Sequence, residues 1–266
     1  MQALDSLMDV ADQFDAIVLD QWGVLHDGTT PYPGAVDALH ALRSTGKPLA
    51  VLSNSGKRAS PNADRITAMG FPADAFHTVM TSGEALWQDI AAGRVPHSRF
   101  TAITRDEGDA ERWAEGLSIT LTDTDPDAVL LMGLPDAGAD HSLSDLPVYC
   151  TNPDRASPRA GGATVVSPGA LAHAHKDAGG DVTFYGKPHA PIFRAVEAAL
   201  GTTNLLMVGD SLEHDIAGGH GAGWSTAFIR GGLHASAFTG DDDATIRDLA
   251  ASENAPLPTF HLAHLG

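Results

Sequence analysis

DAIVLDQWGVL, residues 15–25, decides the fold. Within it Asp15–Asp20, DAIVLD, reads as a strand, and its unbroken apolar run is the kind found in parallel sheets covered by helices on both faces. Working outward, further strands are expected at Pro48–Ser53, His77–Thr81, Asp127–Gly133, Asn204–Asp210, Ser225–Arg230 and Thr259–Leu262. Helical patterns lie between them. AVDALHALRST follows Pro33-Gly34 and stops at Gly46. Ser60 is the expected N-cap of a second helix, with Pro61 at its first position. HAPIFRAVEAAL puts Ile192, Val196 and Leu200 on one face. Strand–helix alternation of this kind specifies an α/β fold with a parallel sheet. The middle, 82–183, is loopier, with DAGADHSLSDLP and ASPRAGG, and is expected to be an inserted domain between the two segments of a core, 1–81 and 184–266.

The chain has 266 residues, 43% apolar and 19% charged, a globular composition. Its net charge of −18 disfavours a phosphate backbone as partner, so no nucleic acid is expected. No apolar run approaches the roughly 20 residues of a membrane span, and the N-terminus lacks a basic segment followed by an apolar one. The single cysteine, Cys150, excludes an intrachain disulfide. A cytoplasmic protein is the expectation.

Ligands of open parallel sheets sit beyond the carboxyl ends of the strands. There the sequence places Asp20, then Ser53-Asn54, then Gly209-Asp210-Ser211-Leu212-Glu213-His214-Asp215, with Lys187 in an intervening YGKP segment. Alone, each has a plain reading as a helix cap, turn residue or solvated lysine. Together they supply what phosphoryl transfer needs. Asp20 is a nucleophile, Ser53 a hydroxyl donor and Lys187 a cation, while Asp20, Asp210 and Asp215 are carboxylates able to hold Mg2+. The thirteen histidines show no zinc spacing, GGHGAG lacks the setting of a dinucleotide fingerprint, and Ser167 lacks the glycines of a nucleophile elbow. Trp87 and Trp113 read as packing or surface aromatics.

Four segments, AIVLDQWGVLHDG, LAVLSNSGKR, FYGKPHAPIF and LLMVGDSLEHDIAGGHGAG, resemble in order the motifs of the haloacid dehalogenase-like hydrolases. The long gap between Ser53 and Lys187, with DAVLLMG, CTNPD and SPGAL inside it, is similar to the class IIA, NagD-type branch. The resemblance implies a doubly wound, Rossmann-like core with an α/β cap domain at 82–183. It implies Asp20 as nucleophile and metal ligand, the Trp22 backbone carbonyl as a further ligand, and Asp210 and Asp215 as acidic ligands. Ser53, Asn54 and Lys187 would bind phosphate, and Asn152, Asp154 and Arg155 are the candidates for cap residues facing the substrate. The implied partner is a small phosphorylated metabolite, with a homodimer formed through the cap. The short segment 135–149 replaces a longer helical stretch of NagD-type caps, which suggests a more open pocket or room for a partner subunit.

One position departs from the pattern. Family phosphatases carry Asp two residues after the nucleophile, to protonate the leaving oxygen and activate water; this chain has Trp22. Indole does neither. Losing general acid–base catalysis costs roughly 10²–10⁴-fold in rate. The expectation is a slow phosphatase, limited by its leaving group, with His26 or Asp27 as candidate substitutes for the acid. The alternatives are a catalytically impaired relative that binds a phosphorylated metabolite, or dehalogenase-like chemistry. Dehalogenase relatives share an aromatic residue here, but usually have a different cap and do not use magnesium. The acidic pair Asp210 and Asp215 favours the metal-dependent reading.

Overall fold

The computed structural model describes residues 1–135, 143–158 and 164–266. Parts of the two expected loops and of the shortened segment 135–149 fall outside these residues.

In chain order, β1 (Gln2–Ala3), β2 (Ala16–Leu19), α1 (Ala35–Ser44), β3 (Leu49–Ser53), α2 (Ala59–Ala68) and β4 (Thr78–Thr81) come first. They are followed by α3 (Ser82–Ala91), β5 (Arg99–Ile103), α4 (Asp109–Ala114), β6 (Thr120–Leu121), β7 (Ala128–Leu131) and β8 (Val148–Cys150). Next are β9 (Ala156–Pro158), β10 (Thr164–Val166), α5 (Pro168–Asp177), β11 (Val182–Phe184) and α6 (Ala190–Leu200). The C-terminal part holds β12 (Leu205–Gly209), α7 (Ala217–Gly221), β13 (Ser225–Ile229), α8 (Asp242–Ser252) and β14 (Phe260–Leu262).

The chain divides into two compact units. One comprises Met1–Ser53, Asn62–Met80 and Phe193–Gly266; the other comprises Asn54–Pro61 and Thr81–Ile192. The first is built on a seven-stranded sheet of order β1-β14-β13-β12-β2-β3-β4. Its pairs β2–β3, β2–β12, β12–β13, β13–β14 and β14–β1 are all parallel. Every residue of β2 is fully buried, which is why its run is continuously apolar instead of alternating. Ile17 and Leu19 pack with Leu39, Val51, Val208 and Ile229, and fully burying a side chain of this size is worth roughly 1.5–3 kcal/mol. The second unit has a five-stranded parallel sheet of order β11-β8-β7-β5-β6 and the antiparallel hairpin β9–β10. Val129, Leu131, Val148, Cys150, Ala172 and Phe184 form a core there. Burial pushes the Cys150 thiol up to about 12, so it packs as an apolar residue.

One boundary differs from the sequence reading. Helix α2 begins at Ala59, and Ser60 lies inside it. The helix N-terminus is capped from a distant residue: the Glu84 carboxylate accepts the Ala59 N–H at 3.0 Å. A tertiary cap thereby replaces the expected local one.

Candidate active site

Strands β2 and β12 lie side by side, Leu19 opposite Val208, and the Asp20 N–H donates to the Val208 carbonyl at 2.9 Å. From this pair the chain proceeds to β3 on one side and to β13 on the other. It is the topological switch point of the sheet, where open α/β sheets bind ligands.

At that point Asp20, Asp210 and Asp215 converge, one carboxylate oxygen from each lying within 4.8 Å of the others. Asp210 and Asp215 are buried. The Leu233 N–H donates to Asp210 Oδ2 at 2.7 Å, and the Ser211 N–H to Asp215 Oδ2 at 3.1 Å. Glycines make the space. A Cβ on Gly232 would lie 2.3 Å from Asp210 Oδ2, one on Gly23 1.7 Å from the same atom, and one on Gly209 2.1 Å from the Asp215 carboxyl carbon. Ser211 caps the turn that follows, accepting the His214 N–H and allowing Asp215 to fold back toward the strand end.

Three carboxylates this close repel by about 3 kcal/mol per pair at an effective dielectric near 20. A divalent cation relieves that repulsion. The donors are all hard oxygens gathered within 4.8 Å, so the residues fit a cation of the Mg2+ or Ca2+ class.

The turn after Asp20 carries the departure. Trp22 is half-buried, and its Nε1 would lie 2.9 Å from a Cβ on Gly28, so the indole rests on the Gly28 turn. That turn is held by Arg65, whose Nη2 donates to the Gly28 carbonyl at 2.8 Å. His26 is buried, and its Nδ1 accepts the Gly28 N–H at 3.0 Å. Burial, then the charge of Arg65, lowers its pKa to about 4, so the ring is neutral at pH 7. The Asp27 carboxylate accepts the Thr30 and Thr29 N–H groups and the Thr29 hydroxyl, each at 2.8 Å; these bonds hold it well below the usual carboxylate range. Neither side chain is protonated at neutral pH and able to act as an acid.

Ser53 is the last residue of β3. Asn54, the next residue, opens the second unit and takes part in a hydrogen-bonded cluster there. Its Oδ1 accepts the Lys187 N–H at 2.7 Å, while its Nδ2 donates to Asp154 Oδ1 at 2.6 Å and to the Lys187 carbonyl at 3.2 Å. Lys187 is buried. Asn152 Oδ1 accepts the Asp154 N–H at 3.1 Å. Arg155 is exposed, and its carbonyl accepts the Ser167 N–H. Among the predicted residues the structure therefore assembles Asp20 with Asp210 and Asp215, and Asn54 with Lys187, Asp154 and Asn152. The sequence reading missed Gly23, Gly232 and the Leu233 N–H, since a glycine needed for clearance looks like any loop glycine.

Comparison with known proteins agrees with this geometry. A family model of the haloacid dehalogenase-like hydrolases matches residues 17–115, and a second model of HAD-like hydrolases matches residues 184–252. Chronophin of Rattus norvegicus is 29% identical over 253 residues, covering 86% of this chain and 80% of that protein. Ribonucleotide monophosphatase NagD of Escherichia coli is 25% identical over 238 residues, covering 82% of this chain and 88% of that protein. A solved haloacid dehalogenase-like hydrolase from Brucella suis superposes with a TM-score of 0.77 at 29% identity, covering 99% of this chain and 100% of that one. Fold, acidic cluster and relatives define a hydrolytic enzyme with a Rossmann-like α/β core. The chain belongs to the haloacid dehalogenase-like hydrolases, in their class IIA, NagD-type branch.

Proposed function

We propose that the chain is a Mg2+-dependent phosphatase that hydrolyses a small phosphate ester through an aspartyl-phosphate on Asp20. The observation that carries this reading is the convergence of Asp20, Asp210 and Asp215 at the switch point of the first sheet. Those side chains, with the Trp22 carbonyl, would hold the cation, which when bound offsets charge on the phosphoryl oxygens.

A carboxylate oxygen of Asp20 attacks phosphorus, the P–O bond to the leaving group breaks, and the electron pair departs on that oxygen. Water then attacks the phosphorus of the aspartyl-phosphate, releasing inorganic phosphate and restoring the carboxylate. The Ser53 hydroxyl and the Lys187 ammonium are assigned to the phosphoryl oxygens as donor and countercharge. Residues 82–183 are assigned as the cap that selects the substrate, a small phosphorylated metabolite.

Trp22 sets the limit of this chemistry. With His26 neutral and Asp27 held ionised, the departing oxygen takes its proton from solvent, so esters with stabilised leaving groups such as aryl phosphates turn over fastest. The same residue favours a second reading, a relative that binds a phosphorylated metabolite without turning it over.

Hydrolysis of p-nitrophenyl phosphate by the purified protein, with Mg2+ and with EDTA, separates the two. The expected result is slow hydrolysis lost in EDTA and reduced at least about 10³-fold by Asp20→Asn. Undiminished hydrolysis by Asp20→Asn contradicts the proposal.

A further inference from the structure

We propose that Asp154 is a positioning residue for Lys187, acting through the side chain of Asn54; this rests on the reading of Lys187 as the phosphate-binding lysine. Asn54 has two amide hydrogens, and both are engaged, one by Asp154 Oδ1 at 2.6 Å and one by the Lys187 carbonyl at 3.2 Å. The side chain has no third hydrogen to give to a phosphoryl oxygen. The Asn54 carbonyl accepts the Lys187 N–H at 2.7 Å, so a single side chain grips the backbone of Lys187 from both of its polar groups. That grip works only when the amide faces one way. Turned over, its NH2 group would meet the Lys187 N–H and its oxygen would meet the Asp154 carboxylate, donor against donor and acceptor against acceptor. Asp154 selects the working orientation, through a charge-assisted bond stronger than a neutral one.

Asp154 is itself anchored. Pro153 before it packs so tightly that a Cβ on Gly186 would lie 2.4 Å from its ring, and one on Gly169 2.1 Å from its carbonyl oxygen. His173 Nε2 sits 3.1 Å from that carbonyl. Fixing the backbone from which the Lys187 side chain extends removes one source of misplacement of its ammonium. The CTNPD segment thus serves phosphate binding from a distance, by holding the residue that holds the lysine.

Two measurements on the full chain test this: calorimetric titration with inorganic phosphate in Mg2+, and kcat and KM for p-nitrophenyl phosphate. Asp154→Ala is expected to weaken phosphate binding and lower kcat by about 10- to 100-fold, the size of effect seen when a supporting hydrogen bond or about 1 Å of placement is lost. Asp154→Asn, which keeps an acceptor oxygen but is neutral and can also present its NH2 group, is expected to recover only part of the loss. In a Lys187→Met background, Asp154→Ala should add less than about 2-fold, because the two act as one unit. If Asp154→Ala does not fold, Asp154→Glu, with its acceptor displaced by a methylene, is measured in its place with the same expectation. Equal losses in both backgrounds, no recovery in Asp154→Asn, or a lowered Tm with unchanged phosphate affinity each overturn the proposal. Phosphate binding unaffected by Lys187→Met alone overturns instead the reading of Lys187 on which it rests.

Discussion

Strands β2 and β12 lie adjacent and parallel, yet their ends are furnished differently. The end of β12 supplies two buried carboxylates, each fixed by a backbone N–H and given room by glycines. The end of β2 supplies one, Asp20, followed by an indole packed on the Gly28 turn. Under the proposed function, the difference assigns two halves of phosphoryl-transfer chemistry to different strand ends. Cation binding depends on where carboxylates converge, whereas proton transfer depends on a single side chain two residues along. A chain that keeps the first and lacks the second is expected to bind like its relatives and turn over according to the leaving group.

The sharpest way to erase the difference is Trp22→Asp, which restores a carboxyl at the β2 end. Turnover of alkyl phosphates is expected to rise by about 10²-fold, the lower end of general acid–base contributions, with a smaller rise for aryl phosphates. A parallel steady-state series on both ester classes checks this; an equal change in both would show that Trp22 does more than omit the acid. Damaging the β12 end is expected to have a smaller and different effect. The Cβ of Gly232→Ala would strike the Asp210 carboxylate and should weaken Mg2+ activation about 10-fold without altering the leaving-group preference. Gly221→Ala, which opens onto free space, is the control and should leave Mg2+ activation unchanged.

The smallest effect concerns stability at the β2 end. His26 has a pKa of about 4 in the folded chain against 6.5 when unfolded, so the unfolded chain binds the extra proton more readily. Stability should therefore fall as pH drops from about 6.5 toward 4, and level off below. Urea midpoints across that range should show a shallower slope for His26→Gln. An identical slope would mean that this ring does not carry the dependence.

Much of the first unit was legible because its strands are short apolar runs buried on both faces. Each of β2, β3, β4, β12, β13 and β14 lies within one or two residues of its expected bounds. The two-residue β1 was invisible, since its only signature is pairing with β14. In the second unit the reading named β7 but not β5, β8 or β11. RFTAI alternates and is largely half-buried, and VYC and VTF are too short to carry a period, so tertiary pairing defines them. The acidic cluster was legible because strand-end position fixes where Asp20 and Asp210 must lie. The Asn54–Asp154 bond was not: it joins residues a hundred positions apart with no local pattern between them.

The proposed chemistry requires that Asp20, Asp210 and Asp215 together hold a single divalent cation. Mn2+ in place of Mg2+ makes this directly readable by electron paramagnetic resonance, without substrate or turnover. The wild-type chain is expected to bind one ion, and Asp210→Asn to weaken it by at least about 10-fold with its Tm retained. Binding of equal strength in Asp210→Asn, or none in the wild type, would contradict the account.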